Sequence, residues 1–121
     1  MKKEHKIYEM AIGRYSIIPP HKGHQELINT LLREGKNVCI AIRDTEKSEK
    51  DPYTYEERHR AFRKIYGKEV AEGTVKIIKI PNLSNIVYGR SPGWGIREVR
   101  LSKEIEAISG TELRKKQNEK E

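Results

Sequence analysis

The chain has 121 residues, 36% of them charged and 35% apolar. That length suits one domain with a real core, and the compact apolar runs exclude a disordered chain. Twenty-five Lys and Arg against 18 Asp and Glu leave a formal charge of +7, which favours polyanionic partners (nucleic acid, anionic membrane or phosphorylated small molecules) without choosing among them.

The amino terminus, Met1-Lys2-Lys3-Glu4-His5-Lys6, leads into an apolar run that soon meets Gly13 and Arg14. This is too short for a signal h-region or a membrane span, so the expectation is a cytoplasmic protein without a membrane partner. Ile7 to Ile12 reads as a first strand ended by Gly13. Beyond Pro19-Pro20, Lys22 to Glu34 carries Leu27, Ile28, Leu31 and Leu32 at helical spacing, and Gly35 closes it as a helix C-terminus would. Val38 to Ile42 is apolar without alternation, as a central parallel strand covered on both faces should be. The single cysteine, Cys39, falls inside this run and reads as a buried structural thiol; no intramolecular disulfide is open to it.

Arg43 to Asp51 is polar and charged, and Pro52 punctuates it. Thr54-Tyr55-Glu56-Glu57 then has capping-box spacing and opens a helix to about Tyr66 with Ala61, Phe62 and Ile65 inward. Val75 to Ile80 reads as a third strand, Ile86 to Tyr88 as a short fourth and Arg97 to Leu101 as a fifth. Ser109-Gly110-Thr111-Glu112 opens a last helix that frays into the charged tail 115–121. The alternation predicts a single α/β domain over 1–121, a Rossmann-like doubly wound parallel sheet of about five strands with helices on both faces.

Ligands of such sheets collect beyond the carboxyl ends of the strands, and the unusual stretches are predicted to fall there. Pro19-Pro20-His21-Lys22-Gly23-His24 sets two imidazoles three residues apart at a helix start, where free backbone N–H groups and the helix dipole favour an anion. That spacing puts both rings on one face, and Gly23 lets a phosphate approach the backbone. Two other readings share the pattern: a pair of solvated histidines at a helix end, and half of a zinc site, which would need further nitrogen or sulfur ligands. No dedicated metal site is expected.

Gly13-Arg14-Tyr15 followed by His21-Lys22-Gly23-His24, with Ile108-Ser109-Gly110-Thr111-Glu112-Leu113-Arg114 near the end, resembles the cytidylyltransferase-like nucleotidyltransferase superfamily. Its hallmarks are an HxGH motif after the first strand and an ISxTxxR motif at the last helix start. The resemblance covers about Ile7 to Lys116 and implies transfer of a nucleoside monophosphate from ATP or CTP to a phosphorylated small molecule, with release of pyrophosphate. It implies that His21 and His24 contact the triphosphate and steady the transition state, that Ser109, Thr111 and Arg114 hold the β- and γ-phosphates, and that Gly13, Arg14, Tyr15, Gly23 and Gly110 belong to the nucleotide site. The same Ser109 to Glu112 stretch also reads as an ordinary capping box. Magnesium is the implied cofactor, bound mainly through the nucleotide phosphates, and homo-oligomers are common among such enzymes.

Gly-Arg-aromatic before HxGH is similar to the nicotinamide mononucleotide adenylyltransferases, as is Asp51-Pro52-Tyr53-Thr54-Tyr55-Glu56-Glu57-Arg58, which favours AMP over CMP. The cytidylyltransferases for alcohol phosphates carry a related helix, and they are the alternative. Departures are the spacer Tyr15 to Pro20, longer than is usual in adenylyl members, and Gly110 where Ser or Thr is common.

Gly89-Arg90-Ser91-Pro92-Gly93-Trp94-Gly95-Ile96-Arg97 reads as a base- or acceptor-binding loop in which Arg90 and Arg97 meet phosphate and Trp94 stacks on a ring; a tight turn with Trp94 as a core plug is the competing reading. Lys47 and Lys50 read as a mobile phosphate clamp or as part of a solvated charged loop. A nucleic-acid-binding module is the second functional class, disfavoured because no such motif is present and the basic residues are interleaved with acids. A degenerate member that binds nucleotide without catalysis is the third.

Overall fold

A computed structural model of the chain describes residues 6–49, 52–90 and 93–101. Three parallel strands, β1 (Tyr8–Gly13), β2 (Asn37–Asp44) and β3 (Val75–Pro81), lie side by side in sequence order, joined by helices α1 (Lys22–Arg33) and α2 (Tyr55–Glu72). Register aligns Glu9, Val38 and Val75 in one row, Ala11, Ile40 and Ile77 in the next, and Gly13, Ile42 and Lys79 in a third. Paired residues of parallel strands share a face, so these rows form one side of the sheet. Ile28 and Leu31 of α1 and Phe62 and Tyr66 of α2 pack with Val38, Ile40 and Ile42 into a single core. Each fully buried aliphatic or aromatic side chain there contributes about 1.5–3 kcal/mol.

Both helices end the same way. Gly35, at φ 80°, lets Gly35 N–H donate to Leu32 O and Lys36 N–H to Leu31 O; Gly73, at φ 81°, does the same with Val70 O and Glu69 O. These are Schellman closures, which need the left-handed backbone that glycine adopts without a Cβ penalty. At the start of α2, Thr54 Oγ1 accepts from Glu57 N–H while Glu57 Oε1 accepts from Thr54 N–H, the expected capping box.

Expectations for the strands and for α2 are corrected. The sheet has three strands among the described residues, not five. Ile86 to Tyr88 forms no strand, with Val87 87% exposed, because three apolar residues without a paired neighbour cannot offset the cost of ordering them. Arg97 to Leu101 is not a strand either: Arg97 spends its side chain on ion pairs with Glu9 and Glu34. Among the described residues, α1 and α2 both lie on one face, since successive right-handed crossovers in one direction stay on one side. Finally, α2 runs past Tyr66 to Glu72, absorbing Gly67 through a local departure at Tyr66 (φ −110°, ψ 26°), and its inward stripe steps by four through Arg58, Phe62 and Tyr66, leaving Ile65 39% exposed. The expected final helix and charged tail lie outside the described residues. Among the described residues, no helix is long and apolar enough to cross a membrane.

Replacing Phe62 with Ala should cost about 3–5 kcal/mol of unfolding free energy in urea titration, whereas Ile65→Ala should cost less than about 1 kcal/mol. Equal losses would contradict this register of α2.

Candidate active site

Everything at the carboxyl end of the sheet hangs on how the chain leaves β1. Gly13 ends the strand, and a Cβ there would stand 3.1 Å from Cζ of Tyr15. Without it, Tyr15 turns back at φ 51° and donates its hydroxyl to Ala11 O at 2.8 Å. A left-handed non-glycine residue costs about 1–2 kcal/mol, offset here by that buried hydrogen bond and by burial of the ring, which is 3% exposed. Burial pushes the Tyr15 phenol far above its ordinary value, with Cys39 adding to the shift. Tyr15 is therefore a neutral ring laid as a floor, edge-on to Phe62 below at 4.9 Å and to His24 above at 4.7 Å.

His24 stands on that floor in the first turn of α1, and the His21 ring stacks on His24 at 3.8 Å between centroids and 28° between planes. His21 is the N-cap, and its Nδ1 accepts from Gly23 N–H at 3.0 Å. An accepting Nδ1 carries no proton, so the neutral ring holds its proton on Nε2 and presents a donor there. His24 is more deeply set; burial, then the neighbouring His21, push its imidazole down to about 4. Burial also lowers His21. Both rings are thus neutral donors at neutral pH. The first turn of α1 holds no acidic side chain, so nothing there cancels the positive end of the helix dipole.

Arg58, which the sequence offered only as the end of a motif and without a role of its own, organises the surroundings. Arg58, 1% exposed, donates Nη1 to Arg14 O at 2.5 Å and to Arg43 O at 2.9 Å, and Nε to Thr54 O at 3.2 Å. One guanidinium ties together the loop after β1, the end of β2 and the start of α2. Its signal was available: Arg58 shares a four-residue step with Phe62 and Tyr66, a charge on an otherwise apolar stripe. Arg43 extends the tie by donating Nη2 to Asn82 Oδ1 and Leu83 O, both at 2.7 Å, which fixes the chain leaving β3.

Three buried polar atoms in this region have no hydrogen-bond partner among the described residues: His24 Nδ1, Arg43 Nε and Thr45 Oγ1. A buried polar atom left unsatisfied costs about 1–3 kcal/mol, and a polar ligand is one way to recover that cost. Among the described residues no three His, Cys, Asp or Glu side chains group as a cation cage.

The structure brings Gly13, Tyr15, His21, Gly23 and His24 together and holds the exposed Arg14 beside them by its carbonyl. Lys47 is exposed on the loop after β2, and Arg90 and Trp94 are exposed beyond β3, Trp94 by 57%, so it plugs no core. Arg97 is not gathered with the histidines: it pairs at 2.7 Å with Glu9 near the beginning of β1 and at 2.6 Å with Glu34 at the end of α1, the opposite edge of the sheet. Lys50, Ser109, Gly110, Thr111 and Arg114 lie outside the described residues.

A family model described as cytidylyltransferase-like matches residues 10–80, from within β1 almost to the end of β3. No curated protein and no solved structure gives a significant match. The matched stretch is more than half of the chain and contains both crossovers, the stacked histidines and Arg58, and the chain belongs to the cytidylyltransferase-like family.

Proposed function

We propose that the protein transfers a nucleoside monophosphate, AMP in preference to CMP, from a nucleoside triphosphate to a phosphorylated small molecule and releases pyrophosphate. The observation that carries this reading is the stacked His21–His24 pair, held neutral over the Tyr15 ring at an uncancelled helix N-terminus. Such a cradle suits a triphosphate: oriented N–H donors meet phosphate oxygens, and the dipole favours the anion. The preference for AMP rests on the similarity of Gly13-Arg14-Tyr15 and Pro52 to Arg58 to adenylyl-transferring relatives.

The acceptor's own phosphate attacks the α-phosphorus in line, so no covalent enzyme intermediate is required. In this reading His21 donates from Nε2 to a phosphoryl oxygen. His24 donates beside it and strengthens its bond as charge grows on the oxygens in the transition state. Tyr15 keeps both rings aligned and water away from their undersides. Ser109, Thr111 and Arg114 are proposed to hold the β- and γ-phosphates from the far end of the chain, and Lys47 and Lys50 to close over them. Arg90 and Trp94 are proposed to meet acceptor or base. The donors at the histidine pair, imidazole and backbone N–H, suit phosphate oxygens rather than a hard cation, so magnesium would ride on the nucleotide's oxygens and there neutralise the charge of the departing pyrophosphate.

His24→Ala should lower turnover by at least about a hundredfold while weakening triphosphate binding less, since a transition-state donor is lost; unchanged turnover would contradict the assignment. The proton balance gives a second test. In the free chain burial, then the neighbouring His21, hold His24 down to about 4, below the ordinary 6.5. Neutral His24 therefore contributes stability above pH 6.5 that is lost as the pH falls from 6.5 through 4, on the order of 3 kcal/mol. A triphosphate beside it favours the imidazolium and must raise that value. Imidazole NMR titration should show a low midpoint that climbs when ATP or CTP is added. A midpoint near 6.5 that neither nucleotide moves would count against the site.

A further inference from the structure

Apart from the histidine pair, a basic concave surface runs along α2 and, at its lower end, onto β3. Its upper part is lined by Tyr55, His59, Arg60, Arg63 and Lys64, and its lower part by Tyr8, Arg63, Val70, Lys76 and Ile77, with His59 and Arg63 shared between the two. The surface is therefore continuous from the first turn of α2 to its last. At 1.5 Å per residue, Tyr55 to Val70 spans about 20 Å. Lys79 adds a further cation at the top, its Nζ 5.0 Å from the centre of the Tyr55 ring. Glu56 is the one carboxylate among the lining residues.

Along the sequence the cations of α2 alternate with acids, but of the acids only Glu56 lines this surface. Arg60, Arg63 and Lys64 line it, while Glu57 is turned into the Thr54 cap and neither Glu69 nor Glu72 lines it. Rings interleave with the cations: Tyr55 and His59 lie 5.6 Å apart between centroids, and Tyr8 stands at the lower end with its hydroxyl donated to Gly73 O. Burial, then the Arg63 guanidinium, hold the His59 imidazole below its ordinary value, which leaves an uncharged ring for stacking. On its outer side β3 pairs with no strand among the described residues.

We infer that this surface binds single-stranded nucleic acid, the backbone following Arg60, Arg63, Lys64 and Lys79 while bases lie against Tyr55, His59 and Tyr8. Alternating cations and rings along a trough are what a flexible polyanion with flat side groups requires. A membrane surface or an acidic peptide would make no use of the rings set between the cations. The inference is independent of the proposed nucleotidyl transfer, because none of these residues belongs to the histidine site.

The test is fluorescence anisotropy of the full chain with labelled oligothymidylate and oligouridylate of about twelve residues, at low and moderate salt. Binding in the micromolar range or tighter is expected at low salt. The Arg60→Glu/Arg63→Glu double variant should bind at least about tenfold more weakly, with a shallower salt dependence because each lost phosphate contact removes about 0.7 from the slope for a single strand. Arg33→Glu/Lys36→Glu, the same charge change at the end of α1 and outside this surface, should stay within about twofold of the parent. If thermal melting shows that the reversed pair does not fold, Arg60→Gln/Lys64→Gln replaces it, with a loss of at least about threefold expected. The inference is overturned by absence of binding, by equal losses in α2 and control variants, or by stronger binding to phosphatidylserine vesicles or polyglutamate than to either oligonucleotide.

Discussion

The constraint on which the rest depends is a single buried cation. Arg58 sits 1% exposed between two crossovers and donates to the carbonyls of Arg14, Arg43 and Thr54. Burying a guanidinium is expensive unless its N–H groups find acceptors, and hydrogen bonds to a charged donor contribute about 1.5–3 kcal/mol each. The chain can meet that cost only by bringing three separate backbone segments to one point. That point is the carboxyl end of the sheet, so the requirement that stabilises Arg58 also fixes the loops around the site.

From this tie the site follows in order. Holding Arg14 O leaves Tyr15 in the left-handed region, Gly13 gives its ring room, and the ring becomes the floor for His24. His21 caps α1 with the same ring that stacks on His24, so helix formation and donor placement are one event. The low proton affinity of His24 is the electrostatic record of this packing: a buried ring beside a second imidazole has nothing nearby that favours its charged form. Neutral donors, oriented in advance and partly shielded from water, are what a developing negative charge needs most.

Much of this was legible in the residues because it is local. Gly35 and the Thr54 to Glu57 box are short-range signals, and both helix ends they mark are where the spacing put them. What failed was non-local. Taking Ile65 as inward and stopping α2 before Gly67 followed a three-residue step, whereas the packing uses the four-residue step that places Arg58 under Tyr15's loop. A short apolar run such as Ile86 to Tyr88 says nothing about whether a strand stands beside it, and Arg97 was drawn to the far edge by Glu9 and Glu34, partners distant in sequence. The histidine pair was visible as a motif; its floor and its anchor were not, since a buried tyrosine and a buried arginine look like any others in a string. Ser109 to Arg114 lies outside the described residues, so its part in the site rests on the motif alone.

The most direct measurement of the central claim is pyrophosphate release in the presence of magnesium, with ATP and CTP offered separately against phosphorylated acceptors such as nicotinamide mononucleotide, glycerol 3-phosphate, phosphocholine and phosphopantetheine. The account predicts release with a nucleotide and acceptor together, ATP ahead of CTP, and at least about a hundredfold less from the His24→Ala chain. No release with any pair, together with no detectable binding of either nucleotide, would contradict it.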